Sequence, residues 1–135
     1  MRDSFALQGL MQTLSASVTQ VIAGEVEIMM PISSAITQQH GFVHAAALAA
    51  IMDSACGYAA LSLMPEDSDV LAVEFKVNFV APAIGSSIRA VGSVIKAGKT
   101  ITLTTANAYA ISSDGEKLVA VMQATMMRRQ KLTHV

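Results

Sequence analysis

Residues 44–63 restrict the fold of this chain more than any other segment does. The run "HAAALAAIMDSACGYAAL" begins at His44 and is apolar almost throughout. Its length and its alanine content favour a helix over a strand. Pro65 follows closely and ends the helix, because proline cannot continue one. The sequence therefore predicts one long, largely buried helix.

Two elements are expected before this helix. Residues 3–14 are predicted to form one short amphipathic helix. Its apolar side would carry Phe5, Leu10 and Leu14. Residues 16–32 are predicted to form a hairpin, because the Ala23-Gly24 pair separates two runs that are typical of strands.

Four strands are expected after the helix. Residues 71–80 alternate between apolar and polar side chains, which predicts a half-buried strand. Its apolar side would carry Leu71, Val73, Phe75, Val77 and Phe79. Three more strands, separated by sequences typical of turns, are expected at about 86–96, 100–111 and 117–127.

These elements together predict an α+β fold in a single domain, residues 1–135. The expected order is a hairpin, one long helix and a four-strand meander, because short turns suit antiparallel neighbours. The simplest packing is a curved antiparallel sheet of five to six strands wrapped around one long central helix. A length of 135 residues fits one domain.

Composition argues against several kinds of partner and location. A net charge of -1 favours neither nucleic acid nor a membrane surface as partner. The apolar segment is not expected to span a membrane, because Asp53 at its centre is costly to insert. The single cysteine, Cys56, fits a reducing compartment, so we expect a cytoplasmic protein. A hydrophobic content of 53% is compatible with an oligomer interface.

Asp53 lies in the middle of the predicted helix, although an unpaired buried carboxylate is costly. Leu48, Ile51 and Tyr58 lie on the other side of a helical wheel. The neighbours of Asp53 are all small: Ala46, Ala49, Ala50, Cys56, Gly57 and Ala60. Such a face lets a ligand or another surface approach closely. The alternative is that Asp53 pairs with a basic side chain from another strand or subunit.

The start of the same helix is a second candidate site. Gly41 permits a tight turn, and the helix is expected to begin near His44 or Ala45. Its first N–H groups have no helical partners, so they can bind an anion or polarise a carbonyl oxygen. Asp53 lies about 12–14 Å further along the axis. An antiparallel partner helix could join the two features, which predicts a composite site in a dimer.

The run "QQHGFVHAAALAAIMDSACGYAA" followed by "VEFKVNFVAPA" resembles hotdog-fold thioesterases of the phenylacetate-degradation, PaaI-like, group. Pro82 and the runs "GKTITLTTA" and "GEKLVAVMQATMM" extend the resemblance over essentially the whole chain. The resemblance implies hydrolysis of acyl-coenzyme A thioesters, without a cofactor, by a homodimer or homotetramer.

The resemblance also implies roles for four residues of the site. Asp53 would act as general base or nucleophile, and the Ala45 N–H would polarise the thioester carbonyl. Gln38 would orient the substrate or water, and His44 would open the helix and shape the site. No metal site is expected, because His40, His44 and His134 lack clustered ligands.

Substrate binding is expected near the helix start and at basic side chains. Gly41 and Ala46 would lie against the substrate. The anionic phosphates of coenzyme A are expected to bind positively charged side chains. The candidates are Lys96, Lys99, Arg128 and Arg129, which could equally be ordinary solvated side chains.

Two positions depart from the family pattern. The common His-Gly-Gly is His44-Ala45-Ala46 here, so an extra methyl group narrows the approach to the helix start. A serine or threonine common in the family is replaced by Ala72. These departures keep a second hypothesis open, namely a protein that binds acyl-coenzyme A without hydrolysing it.

A third hypothesis concerns the type of reaction. A dehydratase acting on hydroxyacyl thioesters would use His44 with Asp53.

The sequence does not choose between a coenzyme A and a carrier-protein thioester, nor does it identify the acyl chain. Whether water or Asp53 attacks first is also left open.

Overall fold

One long helix and a six-stranded antiparallel sheet make up most of the protein. The computed structural model describes residues 1–131. The helices are α1 (Arg2–Ala6), α2 (Gly9–Thr13) and α3 (Ala45–Leu61), with a 3-10 turn at Ser34–Ile36. The strands are β1 (Ser17–Ile22), β2 (Glu25–Pro31), β3 (Ser68–Phe79), β4 (Ser87–Ala97), β5 (Ile101–Ser112) and β6 (Gly115–Gln130).

The long helix forms where the sequence predicts it. His44 caps α3, because its Nδ1 accepts a hydrogen bond of 3.0 Å from the Ala46 N–H. Leu48, Ile51 and the residues around them are buried against the concave face of the sheet. Gly92 of β4 allows the close approach, since a Cβ there would lie 2.4 Å from the Ala55 carbonyl carbon. The α+β fold with one central helix is therefore confirmed. No helix within residues 1–131 is long and apolar enough to span a membrane.

The strand order departs from the expected four-strand meander. The observed order is β1-β2-β4-β5-β6-β3, so β4 to β6 form a meander while β3 pairs with β6 at the far edge. β3 and β4 are therefore three strand spacings apart, about 14 Å. The seven-residue link 80–86 can cover that distance, because an extended chain reaches about 3.3 Å per residue. A tight hairpin turn is not required there.

A bulge in β3 overturns the prediction that its apolar residues share one side. Ala72 pairs with Met126 and Glu74 pairs with Thr125, so Val73 has no partner on β6. One extra residue reverses the side on which each following side chain lies. Leu71 therefore faces away from α3, on the side opposite to Phe75.

β3 is also more exposed than a half-buried strand would be. It lies at the edge of the sheet, and four of its apolar side chains are well exposed in the protomer. The exposed fractions are Leu71 48%, Val73 55%, Phe75 44% and Phe79 45%. The sheet of one protomer thus ends in a strand with apolar side chains and unpaired backbone groups.

The amino-terminal segment forms two short helices rather than one. Phe5 and Met11 are both buried, whereas Leu10 is 57% exposed, which corrects the predicted apolar side. On one continuous helix Phe5 and Met11 would point about 120° apart. The break between α1 and α2 lets both side chains reach the core, and Gly9 is a poor helix former that favours the break. The expected β1–β2 hairpin is present, with Gly24 at φ +80 in its turn.

Candidate active site

The start of α3 offers one backbone donor. The Ala46 N–H is satisfied by His44, but the Ala45 N–H has no hydrogen-bond partner within residues 1–131. It also lies at the positive end of a 17-residue helix. The Ala45 N–H can therefore donate to an oxygen that develops negative charge.

A tight turn holds Gln38 close to this donor. The Gln38 N–H donates to the Phe42 carbonyl at 2.8 Å, and the Gly41 N–H donates to the Gln38 carbonyl at 2.9 Å. The Gln38 Oε1 accepts from the His40 N–H. Gly41 adopts φ +84, which explains a glycine at this turn. Gly41 therefore shapes the turn and does not line the cavity beside it.

These residues border a cavity of about 500 Å³, which we call the helix-start cavity. Gln38, His44 and Ala45 supply its polar groups. The remaining lining is Phe42, Val43, Leu48, Phe79, Val80, Ala81, Pro82 and Ala83. A mainly apolar surface with one free N–H suits an apolar ligand that carries a carbonyl group. Ala46, although next to Ala45, is exposed and does not line it.

Asp53 borders a different cavity, of about 330 Å³, which we call the acid cavity. Its Oδ1 is buried and has no hydrogen-bond partner within residues 1–131. Burial raises the pKa of the Asp53 carboxyl above its ordinary value of 3.8. No basic side chain forms a salt bridge with Asp53 among the described residues of the protomer. An unpaired carboxyl with a perturbed pKa in a cavity is a candidate acid–base group.

The two cavities are separate within one protomer. They share no lining residue, and Ala45 and Asp53 lie eight residues apart on one helix, about 12 Å along its axis. One protomer therefore does not bring the Ala45 N–H and the Asp53 carboxyl to one atom. The same separation leaves His44 and Asp53 apart, so no dehydratase pair forms within the protomer.

The predicted basic residues divide among three places. Lys99 and Arg128 border a third cavity of about 200 Å³ beyond the carboxyl end of α3. Arg129 borders the acid cavity and pairs with Asp69 at 3.3 Å. Lys96 is exposed near the end of β4 and borders none of these three cavities.

Arg128 is held by neighbours of its own. Its Nε donates to the Ser68 hydroxyl at 2.7 Å, and its Nη2 lies 3.2 Å from a carboxylate oxygen of Asp67.

Within residues 1–131 no group of three or more His, Cys, Asp or Glu could hold a metal ion, and His134 lies outside the described residues.

Sequence reasoning missed the residues that form one wall of the acid cavity. Ser4 and Gln8 come from the α1–α2 segment, and Ser54 comes from α3. Gln8 contacts Tyr58 across a separation of 50 residues. No local pattern connects positions so far apart, so nothing in the sequence singled them out.

Similarity to known proteins agrees with this geometry. The family model of the thioesterase superfamily matches residues 40–125. The crystal structure of a thioesterase family protein from Silicibacter pomeroyi superposes with a TM-score of 0.94. That protein is 49% identical, and the match covers 96% of each chain.

More distant structures share the fold. The Escherichia coli PaaI protein from the phenylacetic acid degradation operon is 17% identical, with a TM-score of 0.84 over 97% of this chain and 92% of that chain. A Bacillus halodurans protein, crystallised with coenzyme A, is 20% identical, with a TM-score of 0.82 over 93% of this chain and 81% of that chain. Because the family model covers more than half of the chain, the chain belongs to the thioesterase superfamily and is a thioester hydrolase with the hotdog fold.

Proposed function

We propose that this protein hydrolyses acyl-coenzyme A thioesters, with Asp53 as general base or nucleophile. The observation that carries the proposal is the buried Asp53 oxygen in the acid cavity, which has no hydrogen-bond partner among residues 1–131. A stable fold rarely retains an unsatisfied buried carboxyl unless the group has a function. Family membership supplies the reaction class, and the carboxyl supplies a group able to perform it.

The Ala45 N–H is the proposed electrophilic partner. It would donate to the thioester oxygen, which becomes an oxyanion as the carbonyl carbon is attacked. Asp53 would take a proton from the attacking water. The tetrahedral intermediate would then break its C–S bond and release coenzyme A as a thiolate, which would take up that proton and leave as the thiol. Direct attack by the carboxylate, followed by hydrolysis of the mixed anhydride, gives the same free acid and thiol. Gln38 would orient the substrate or water beside the Ala45 N–H.

A second copy of the chain is proposed to complete the site, because one protomer keeps Ala45 and Asp53 apart. Strand β3 favours this assembly. Its exposed Phe75 and Phe79 and its unpaired backbone edge suit pairing with another chain. A homodimer is the smallest unit that the proposal requires, and a homotetramer of two such dimers would keep the same sites.

Coenzyme A is the proposed thiol half of the substrate. The Bacillus halodurans protein with this fold was crystallised with coenzyme A. Lys99 borders the third cavity and is proposed to supply positive charge for the phosphates, whereas Arg128 beside it is already paired with Asp67. Lys96 is exposed near the end of β4, and it is proposed to help bind the phosphates. A reducing compartment, the cytoplasm, remains the proposed location.

Thiol release from a panel of acyl-coenzyme A substrates tests this function. The panel includes short, medium, long and aromatic acyl groups, and the variants are Asp53→Asn and Asp114→Asn. Asp114 is exposed in the β5–β6 turn, so its change is a matched control. We expect Asp53→Asn to lower kcat by about 100-fold or more, because general acid–base groups contribute that much. Equal activity of wild type and Asp53→Asn would contradict the assignment.

The second candidate function is binding of acyl-coenzyme A without hydrolysis. Ala72 favours it, because this residue borders the acid cavity and offers no hydroxyl to position water. Saturable binding of acyl-coenzyme A without release of thiol from any member of the panel would establish this function in place of catalysis.

A further inference from the structure

The two sides of edge strand β3 carry different side chains. Beyond the bulge, Phe75 pairs with a buried residue of β6, so its side chain lies on the α3 side. Glu74 and Lys76 therefore lie on the outer side, where the Thr125 hydroxyl donates to the Glu74 Oε1. Both charged residues are exposed, and neither is in a salt bridge among residues 1–131. The edge of β3 thus presents one charge of each sign, two residues apart.

Symmetry restricts how this edge can pair with the same edge of a second copy. A two-fold axis perpendicular to the sheet makes the two β3 strands antiparallel and keeps the α3 sides of both protomers together. Facing residues of an antiparallel pair lie on the same side of the sheet. Because side chains alternate along a strand, two facing residues are an even number of positions apart. The axis therefore lies at a residue that faces its own counterpart, which we call the self-paired residue.

The charges distinguish between the possible self-paired residues. A self-pair at Glu74 or at Lys76 would set like charges directly opposite each other, which is destabilising. A self-pair at Phe75 sets Glu74 opposite the partner's Lys76, and the two-fold axis repeats this ion pair. A self-pair at Val77 would leave both charges without an opposite charge and would extend the ladder past Phe79, where β3 ends.

One further register would bring opposite charges together. A self-pair at Ala72 would set Lys76 opposite the partner's Asp69, but this carboxylate is already in a salt bridge of 3.3 Å within its own protomer. The same register would leave Glu74 without a basic residue opposite it. Phe75 is therefore the self-paired residue that provides an opposite charge for both side chains.

The register with Phe75 at the axis also brings the two cavities together. Counting outward from Phe75, and omitting the unpaired Val73, places Val70 opposite the partner's Phe79. Facing residues have Cα atoms about 5 Å apart. Val70 borders the acid cavity, and Phe79 borders the helix-start cavity. The acid cavity of one protomer would thus lie beside the helix-start cavity of the other.

We propose that β3 pairs with β3 of a second copy with Phe75 self-paired, and that Glu74 and Lys76 select this register. The inference rests on the proposed function, because the partner's Phe79 and helix start then complete the site around Asp53. The charges act mainly by excluding other registers. An exposed ion pair stabilises little by itself, whereas like charges that face each other repel.

Single cysteines test the register while both charges remain in place. Phe75→Cys should form a covalent dimer in a glutathione redox buffer, because self-paired Cα atoms lie about 5 Å apart, within reach of a disulfide. Val77→Cys and Ala72→Cys are the matched controls on the same side of β3. Their copies would lie about 14 Å apart and should stay uncrosslinked. The native Cys56 is buried and should not compete.

Charge reversal tests the roles of Glu74 and Lys76. Added to Phe75→Cys, Lys76→Glu should lower the yield of covalent dimer by about 10-fold or more, because it sets acidic groups opposite each other. Adding Glu74→Lys to the same chain reverses both charges and should restore the yield. Lys117→Glu makes the same reversal at an exposed position of β6 and should leave the yield unchanged. Circular dichroism checks that each variant is folded.

The outcomes separate the register from the function on which it rests. A crosslink through Val77→Cys or Ala72→Cys, or none through Phe75→Cys, would overturn the register, whatever the rate of thiol release. An unchanged yield with Lys76→Glu, or no recovery in the folded double reversal, would overturn the roles of the two charges. The expected crosslink in a protein that hydrolyses no acyl-coenzyme A would uphold the register and overturn the proposed function.

Discussion

The packing around Asp53 determines the acid–base properties of its carboxyl group. The small residues around it let α3 lie close to its neighbours and still leave a cavity beside the carboxyl. Its Oδ1 accepts no hydrogen bond from the part of the chain that the structure describes, and burial raises the pKa of the carboxyl. A carboxylate in such a place is a stronger base than one in water, at a cost in stability.

The raised pKa of Asp53 predicts that Asp53→Asn stabilises the fold at neutral pH. The folded state binds the proton of this group more tightly than the unfolded state, so ionisation lowers the free energy of unfolding. The contribution of Asp53 is therefore intact below its unfolded pKa of 3.8 and is lost as the pH rises through the folded pKa. We expect the variant to unfold at higher urea concentration than wild type at pH 7.

Urea unfolding between pH 7 and pH 4 measures this effect. The stability gap between Asp53→Asn and wild type should narrow as the pH falls toward 3.8, because wild type then regains its proton. Asp114→Asn should show no comparable gap, since that carboxyl is exposed. A variant less stable than wild type at pH 7 would mean that the ionised carboxylate is stabilised by a partner.

Two elements place the groups that we propose to be reactive. Helix α3 presents the Ala45 N–H at one end and Asp53 two turns later. The His44 cap satisfies the Ala46 N–H, whereas the Ala45 N–H has no partner in the described range 1–131. Strand β3 carries the bulge at Val73, which turns Phe75 and Phe79 toward the α3 side of the sheet edge. A straight β3 would place these aromatic side chains on the outer side.

Ala45→Pro tests the helix element separately from the carboxyl. Ala45 is the first residue of α3, a position where proline is well tolerated, and His44 has the extended backbone that precedes proline. The substitution removes only the N–H donor. We expect kcat to fall by about 100–1000-fold with little change in Tm, as for loss of an oxyanion donor.

Ala45→Gly is the matched control, because it keeps the N–H and should retain most of the activity. The two variants are compared by thiol release and thermal unfolding. Wild-type kcat in Ala45→Pro would show that the carbonyl oxygen is bound elsewhere.

At the scale of the whole molecule, the proposed site depends on how two protomers assemble. In one protomer the helix-start cavity and the acid cavity share no residue. A second copy related by a two-fold axis would create two equivalent composite sites, because the same two surfaces meet twice. Activity would then belong to the assembly, and the exposed apolar edge at β3 is the surface that we expect it to bury.

Mixing two inactive variants tests the composite site. After exchange of Ala45→Pro and Asp53→Asn protomers at equal concentration, half of the dimers would be mixed, and each would contain one intact site. We expect about a quarter of wild-type activity to return, as two-fold symmetry requires. Thiol release is measured before and after exchange. A mixture that stays inactive after exchange is shown by native mass spectrometry would place both groups in one chain.

Much of the fold was predictable because its signals are local. The alanine-rich run specified α3, and the turn at Gly24 specified the β1–β2 hairpin. Three strands after residue 80 lie close to their predicted bounds. Asp53 was also a candidate from the sequence, because a charged residue within an apolar helix is costly enough to need a reason. The sequence further indicated that Ala45 and Asp53 are too far apart along α3 to meet within one chain.

The tertiary structure alone decided the features that depend on distant residues. It placed β3 beside β6. The seven-residue link after β3 is long enough for β3 to pair either with β4, the next strand in the sequence, or with β6. It put one unpaired residue at Val73, which no local pattern marks. It brought Gln8 to Tyr58 and so gave the acid cavity a polar wall. The reason is common to all three: side-chain periodicity describes one element at a time, whereas strand order, register and cavity walls arise from contacts between elements.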